Sequence, residues 1–252
     1  MLTAYINRTA MLLQNPAAPT SLYSEADLTT WINIARGQLA GESEAIRAIG
    51  TIPTVVDQQP YNFSSITIAN AATNGIDGVI NVRRVAYAVG TGARWIPPRS
   101  WEWFDLYVMN NPIPQSSEPK VWSQYAQGAA PGASGAMLGG SLYINAPDAV
   151  YTLNCDCVCY PLALADDSDP EPIPYLWTDA VPFFAAYYAL LSAQNNARMA
   201  DAERYFNHYQ NFVERARKAS NPAVNRWLYS QAGDPAQAAK MQVQSKAAGG
   251  GG

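Results

Sequence analysis

The chain has 252 residues, of which 48% are hydrophobic and 14% charged, enough apolar material for one large or two small domains with a real core. A net charge of −4 excludes a chain-wide electrostatic grip on nucleic acid. The 3 cysteines all fall within NCDCVCY, an odd and crowded set that excludes a secreted disulfide framework.

The low charged fraction, against about 25% in ordinary proteins, hints that other protein covers part of the surface. The charge is also uneven. Residues 1–196 carry 8 Lys+Arg against 16 Asp+Glu, whereas residues 197–252 carry 8 against 4. An acidic body is therefore joined to a basic C-terminal segment.

The opening MLTAYINRTAMLLQNP lacks the ordered charged start, apolar core and cleavage site of a secretory leader, so none is expected. Leu2 to Leu13 reads as a short helix ending at Asn15-Pro16. After PAAPTSLY, Ser24 followed by Asp27 makes a capping-box-like start. Leu28, Trp31, Ile32, Ala35 and Leu39 then recur at helical spacing, with Gly41 predicted to break or bend the helix before Ile46 and Ile49 continue it.

From Thr51 to about Pro161 the pattern changes to short β-rich runs separated by glycine, proline and asparagine. AYAVGTGARWI reads as a hairpin around Gly90-Thr91-Gly92, and RSWEWFDLYVMNNP as one helical island capped by Ser100 and ended by Pro112. The acidic linker DDSDPEP follows. IPYLWTDAVPFFAAYYALLSAQ then restores the helical period, opening either at Pro174 or after Asp179 with Pro182 in the first turn. This helix is apolar nearly all round, which predicts burial on several sides. Its run from Val181 to Leu191 is well short of the roughly 20 residues that span a bilayer, so no membrane partner is expected. Past Asn195-Asn196, the stripe Met199, Ala202, Phe206, Tyr209, Val213 and Ala216 completes an antiparallel helical hairpin. Beyond Asn221-Pro222 only NRWLYSQ has apolar character, and the rest has tail composition.

The expected fold class is α+β. Residues 1–50 and 172–220 form a helical bundle, residues 51–171 an inserted antiparallel β-rich section, and residues 221–252 an extended C-terminal docking tail.

Chemistry-bearing motifs are few. Cys155, Cys157 and Cys159 share one face of an extended strand, with neighbouring Cα atoms about 6.6 Å apart, near the limit for a disulfide and poorly aimed. Free thiols packed as small hydrophobes are expected, with no metal and no cofactor. Gly128 to Ser141 is glycine-rich but carries no lysine to meet a terminal phosphate, which reads as a surface loop. Asp166, Asp167, Asp169 and Glu171 read as a solvated linker and lack the spacing of a calcium loop. His208, the only histidine, has no serine or cysteine in a recognisable elbow to serve and reads as an ordinary helix-face residue. Trp95, Trp101 and Trp103 allow a base-stacking or carbohydrate platform, but aromatics clustered in a β section are more often core. No catalytic site emerges.

Three segments together resemble a known family: SEADLTTWINIARGQLAGESEAIR, RSWEWFDLYVMNNPIPQSSEPKVWSQY, and IPYLWTDAVPFFAAYYALLSAQ with its partner RYFNHYQNFVERAR. Their order resembles that of head-to-tail adaptor (connector) proteins of tailed bacteriophages, especially the podovirus-like group below the portal, over roughly residues 20–230. The resemblance implies a non-enzymatic structural protein of the virion neck, assembled in the bacterial cytoplasm as a ring, commonly a dodecamer. Its implied partners are further copies of itself, the portal protein, a tail, tail-tube or nozzle protein, and double-stranded DNA that passes without specific binding. The docking role of the family's C-terminal segment would fall here to Arg226, Trp227, Leu228 and Tyr229. Twelve copies would sum to about −48, and a partly negative channel would repel DNA phosphates. A stopper, tail-completion or tail-tube protein is the alternative among virion components. From other classes stand a hydrolase using His208 or Asp166–Glu171, and a carbohydrate-binding module built on the tryptophans.

Overall fold

In the computed structural model, described over residues 1–16, 21–89, 92–110, 116–128, 140–192 and 198–220, the chain opens with helix α1 (Leu2–Leu13). Gln14 closes it in the left-handed conformation at φ 53°. Helix α2 (Glu25–Ser43) begins with a reciprocal capping box. The Asp27 N–H donates to Ser24 Oγ (3.1 Å) and the Ser24 N–H to Asp27 Oδ2 (3.3 Å), satisfying two donors that the first turn would otherwise leave unpaired. Leu28, Ile32, Ala35 and Leu39 form its buried stripe.

The expected continuation of α2 through Ile46 and Ile49 is corrected. The helix runs through Gly41 and stops at Glu44, which adopts φ 54°. The next residues form strand β1 (Arg47–Pro53), paired along its length with a strand more than a hundred residues downstream. Ile46 and Ile49 fit a helical stripe by spacing, but long-range pairing outweighs local period here.

The β-rich section continues with β2 (Pro60–Asn62), β3 (Thr67–Ile68), β4 (Ile76–Val89) and β5 (Gly92–Ile96), the last two forming the expected hairpin with Val89 opposite Gly92. Ser100 Oγ then accepts the Trp103 N–H (3.3 Å) to cap α3 (Trp101–Phe104), which passes into a π-helical turn at Asp105–Met109. The place of Pro112 lies outside the described residues. Strands β6 (Trp122–Tyr125), β7 (Ser141–Ile144) and β8 (Thr152–Pro161) complete two antiparallel sheets, ordered β3-β1-β8-β4-β5 and β2-β7-β6. Bulges in β4 between Ile76 and Gly78, Val79 and Asn81, and Val82 and Arg84 keep this 14-residue strand in step with the 10-residue β8.

The register places Cys155 and Cys157 beside Gly50 and Ala48 of β1, and Cys155, Cys157 and Cys159 beside Val85, Val82 and Val79 of β4. Gly50 is required at its position, because a Cβ there would lie 2.3 Å from Ile66 Cγ2. The thiols join Ile52, Val82, Val85, Leu153, Trp122, Leu142 and Ile144 in one buried cluster, which also contains Tyr5, Ile32, Leu39 and Tyr209 of the helices. The β section and the helices thus share apolar core.

After the linker, a 3-10 turn at Tyr175–Trp177 follows Pro174, and α4 (Ala180–Ser192) begins after Asp179. Pro182 lies in the first turn, where its missing N–H breaks no intrahelical bond. Helix α5 (Met199–Ser220) runs back along α4. Phe183 stacks on His208, Phe184 meets Tyr209 (centroids 4.7 Å apart) and Tyr187 meets Phe206 (4.8 Å). Phe183 also stacks on Phe212, so from Phe183 to Tyr187 the partner on α5 moves back from Phe212 to Phe206, and the pair is the expected antiparallel hairpin. Helices α1, α2 and α5 all pack on α4, leaving Tyr188 and Leu191 as its partly exposed edge. Among the described residues, no helix is long and apolar enough to cross a membrane.

Candidate docking surface

The residues that could carry chemistry are engaged by the fold. Cys155, Cys157 and Cys159 are free and buried. Burial pushes the Cys155 thiol up to about 12 and Cys159 up to about 11, with Cys157 higher still, so thiolate nucleophiles do not form near neutral pH. His208 stacks on Phe183 with centroids 5.2 Å apart. Among the described residues, no group of three or more His, Cys, Asp or Glu could hold a metal ion.

The acidic segment is only partly a solvated linker. Asp169 Oδ2 accepts the N–H groups of Ala165 and Asp166, and Asp166 Oδ1 accepts both the N–H and hydroxyl of Ser168. These bonds from Ser168 hold the Asp166 carboxyl below its usual range. Asp167 accepts from the Met1 amine (2.7 Å), the Thr3 hydroxyl (2.5 Å) and the Thr3 N–H (2.8 Å), which hold its carboxyl lower still. Three carboxylates are spent on tying the linker to itself and to the start of α1.

The fourth, Glu171, makes a contact that local sequence does not reveal. Arg36 of α2 is fully buried and forks onto it, Nε to Oε2 at 3.0 Å and Nη2 to Oε1 at 3.1 Å. Arg36 Nη1 also donates to the Leu162 carbonyl (2.7 Å) and to Asn33 Oδ1 (3.1 Å). Asn33 in turn exchanges bonds with the backbone of Leu164. Burial, and then the Glu171 charge, push the Tyr5 phenol on α1 far above its ordinary value. One polar node therefore joins α2 to both ends of the chain's passage from β8 to α4. The available signal was an arginine on the apolar stripe of α2, one turn after Ile32.

The tryptophans do not form one platform. Trp95 is exposed under Arg84, whose guanidinium carbon lies 5.6 Å from its ring centroid. Trp101 packs on Tyr143 and Tyr125, whereas Trp103 pairs with Tyr107 and lies beneath Arg99. Among the described residues, no ring partner is common to the three. The π-helical turn instead exposes Leu106, Tyr107 and Met109, with Tyr107 against the partly exposed Trp103.

A second such surface lies on the bundle. Met11 and Leu12 of α1, Pro182 and Phe183 of α4, and His208 and Phe212 of α5 line a groove of about 690 Å³. The Arg8–Asp179 ion pair crosses its rim, and Met11 is 77% exposed. The expected docking residues Arg226, Trp227, Leu228 and Tyr229 lie outside the described residues, as do most of the glycine-rich loop and the Asn195-Asn196 turn.

What the described residues offer is exposed apolar surface at Trp103, Leu106, Tyr107 and Met109 and an apolar groove on the bundle. No curated protein matches the chain. A family model described as SU10 adaptor protein matches residues 2–236.

Proposed function

The chain belongs to the SU10 adaptor protein family, structural adaptors of bacteriophages, and from that premise we propose that twelve copies form a ring joining the portal to the tail. In this proposal the ring lies at the virion neck, lines the DNA exit channel and is assembled in the host cytoplasm. Residues 1–50 and 172–220 form its helical body, residues 51–171 its β-rich insert, and residues 221–252 its docking tail.

The observation that carries the proposal is the extent of the family match. It runs past the last described helix and through Arg226, Trp227, Leu228 and Tyr229. Three physical features support it. The exposed edge of α4 at Tyr188 and Leu191 is apolar surface that a ring neighbour would cover. The exposed Trp103, Leu106, Tyr107 and Met109 give the β section a face suited to a tail or nozzle protein. The net negative charge suits a channel wall that repels phosphate and lets double-stranded DNA slide without specific binding.

Buried aromatic side chains dominate the energetics of most protein interfaces, each losing about 2 kcal/mol or more when truncated. Trp227→Ala with Tyr229→Ala should therefore weaken binding of the full chain to portal rings at least thirtyfold (~2 kcal/mol), measured by sedimentation. Unchanged affinity would remove the tail from the docking role.

A further inference from the structure

The groove between α1, α4 and α5 has an occupant within reach. Helix α5 ends at Ser220, and the strip leading back to the groove lies on one helix face through Ala219, Arg215, Phe212 and His208. Arg215 already lies over the Phe212 ring along that path, 5.9 Å from its centroid. From Ser220 to Phe212 and His208 the helix covers only about 12 to 18 Å at 1.5 Å per residue. Trp227, Leu228 and Tyr229 follow Ser220 by seven to nine residues, an extended reach of about 23 to 30 Å. The segment can therefore reverse at Asn221-Pro222 and still arrive with slack.

The chemistries also match. Three consecutive large apolar side chains meet a groove made of methionine, leucine, proline and aromatic rings. Arg226, just before them, would share with Arg8 the Asp179 carboxylate at the rim.

We infer that in the free subunit this groove holds the chain's own Trp227-Leu228-Tyr229 segment, so that the anchor is masked until a partner displaces it. The consequence for assembly rests on the portal-docking role proposed above; the seating of the segment does not. A short tether gives a local concentration of about 1 mM, so a contact with an intrinsic Kd near 0.1 mM would already be closed about nine-tenths of the time. Portal binding would then be weakened about tenfold in the free subunit, which delays docking until the portal is present in excess of that handicap.

The test uses the full chain carrying Met11→Cys and Leu228→Cys. The three native thiols are buried and do not compete. Mild oxidation should yield an intrachain disulfide, identified by peptide mass in a non-reduced digest, and portal affinity should fall at least tenfold until reductant restores it. Met11→Glu alone should raise portal affinity several-fold by emptying the groove. Absence of the intrachain link, or links formed only between copies, would overturn the inference. An intrachain link in a protein that never binds portal would leave the seating intact and overturn the docking role instead.

Discussion

Arg36 has no solvent exposure, yet four of its five N–H groups donate: two to Glu171, one to Leu162 and one to Asn33. Removing one member of a buried pair strands the other, at a cost of about 3–5 kcal/mol. Arg36→Met and Glu171→Met should each destabilise by that amount in urea unfolding, and the double variant by clearly less than their sum. Additive losses would show that the two side chains act separately. This node was only half legible in the sequence. An arginine on the apolar face of a helix signals a buried partner, but the partner lies 135 residues away, inside a run of acids that looks solvated. The cysteines were fully legible, because alternate positions on a strand share a face whatever the strand pairs with. His208 was legible as an ordinary helix residue but not as the wall of a groove, since the facing Phe183 comes from another helix.

At the scale of elements, the strongest local signals named the helices correctly. Ser24 and Asp27 form the capping box their spacing announces, and Ser24→Ala should cost about 1 kcal/mol, read as a lower urea midpoint with an unchanged slope. A loss of under a few tenths would mean that tertiary packing alone positions the start of α2. Ser100 and the β4–β5 hairpin were equally clear, since caps and tight turns are written in a few adjacent residues. The end of α2 was not. Glu44 in a left-handed conformation carries no glycine to announce it, and β1 is a strand because β8 pairs with it. Helix α4 combined both cases. Its burial followed from composition, whereas its start after Asp179, with a separate 3-10 turn before it, depends on how the linker arrives from the Arg36–Glu171 node.

For the molecule as a whole, the α+β class and the sequence of helices, sheets and helical hairpin could be read along the chain. The shared core could not, because it unites residues from Tyr5 to Tyr209 through contacts that no local pattern encodes. The docking surfaces are legible only in part. The apolar run Trp227-Leu228-Tyr229, the proposed anchor, stands out in a polar stretch of sequence, but the groove exists only once three helices meet. The account depends on this chain being built to be held by other subunits, with its last aromatic residues as the grip. Cryo-electron microscopy of the full chain mixed with portal rings tests this most directly. The account predicts a twelve-fold ring on the portal with continuous density for residues 221–236 seated on portal subunits. A chain that remains solitary beside the portal, or a ring whose C-terminal segments contact no portal surface, would contradict it.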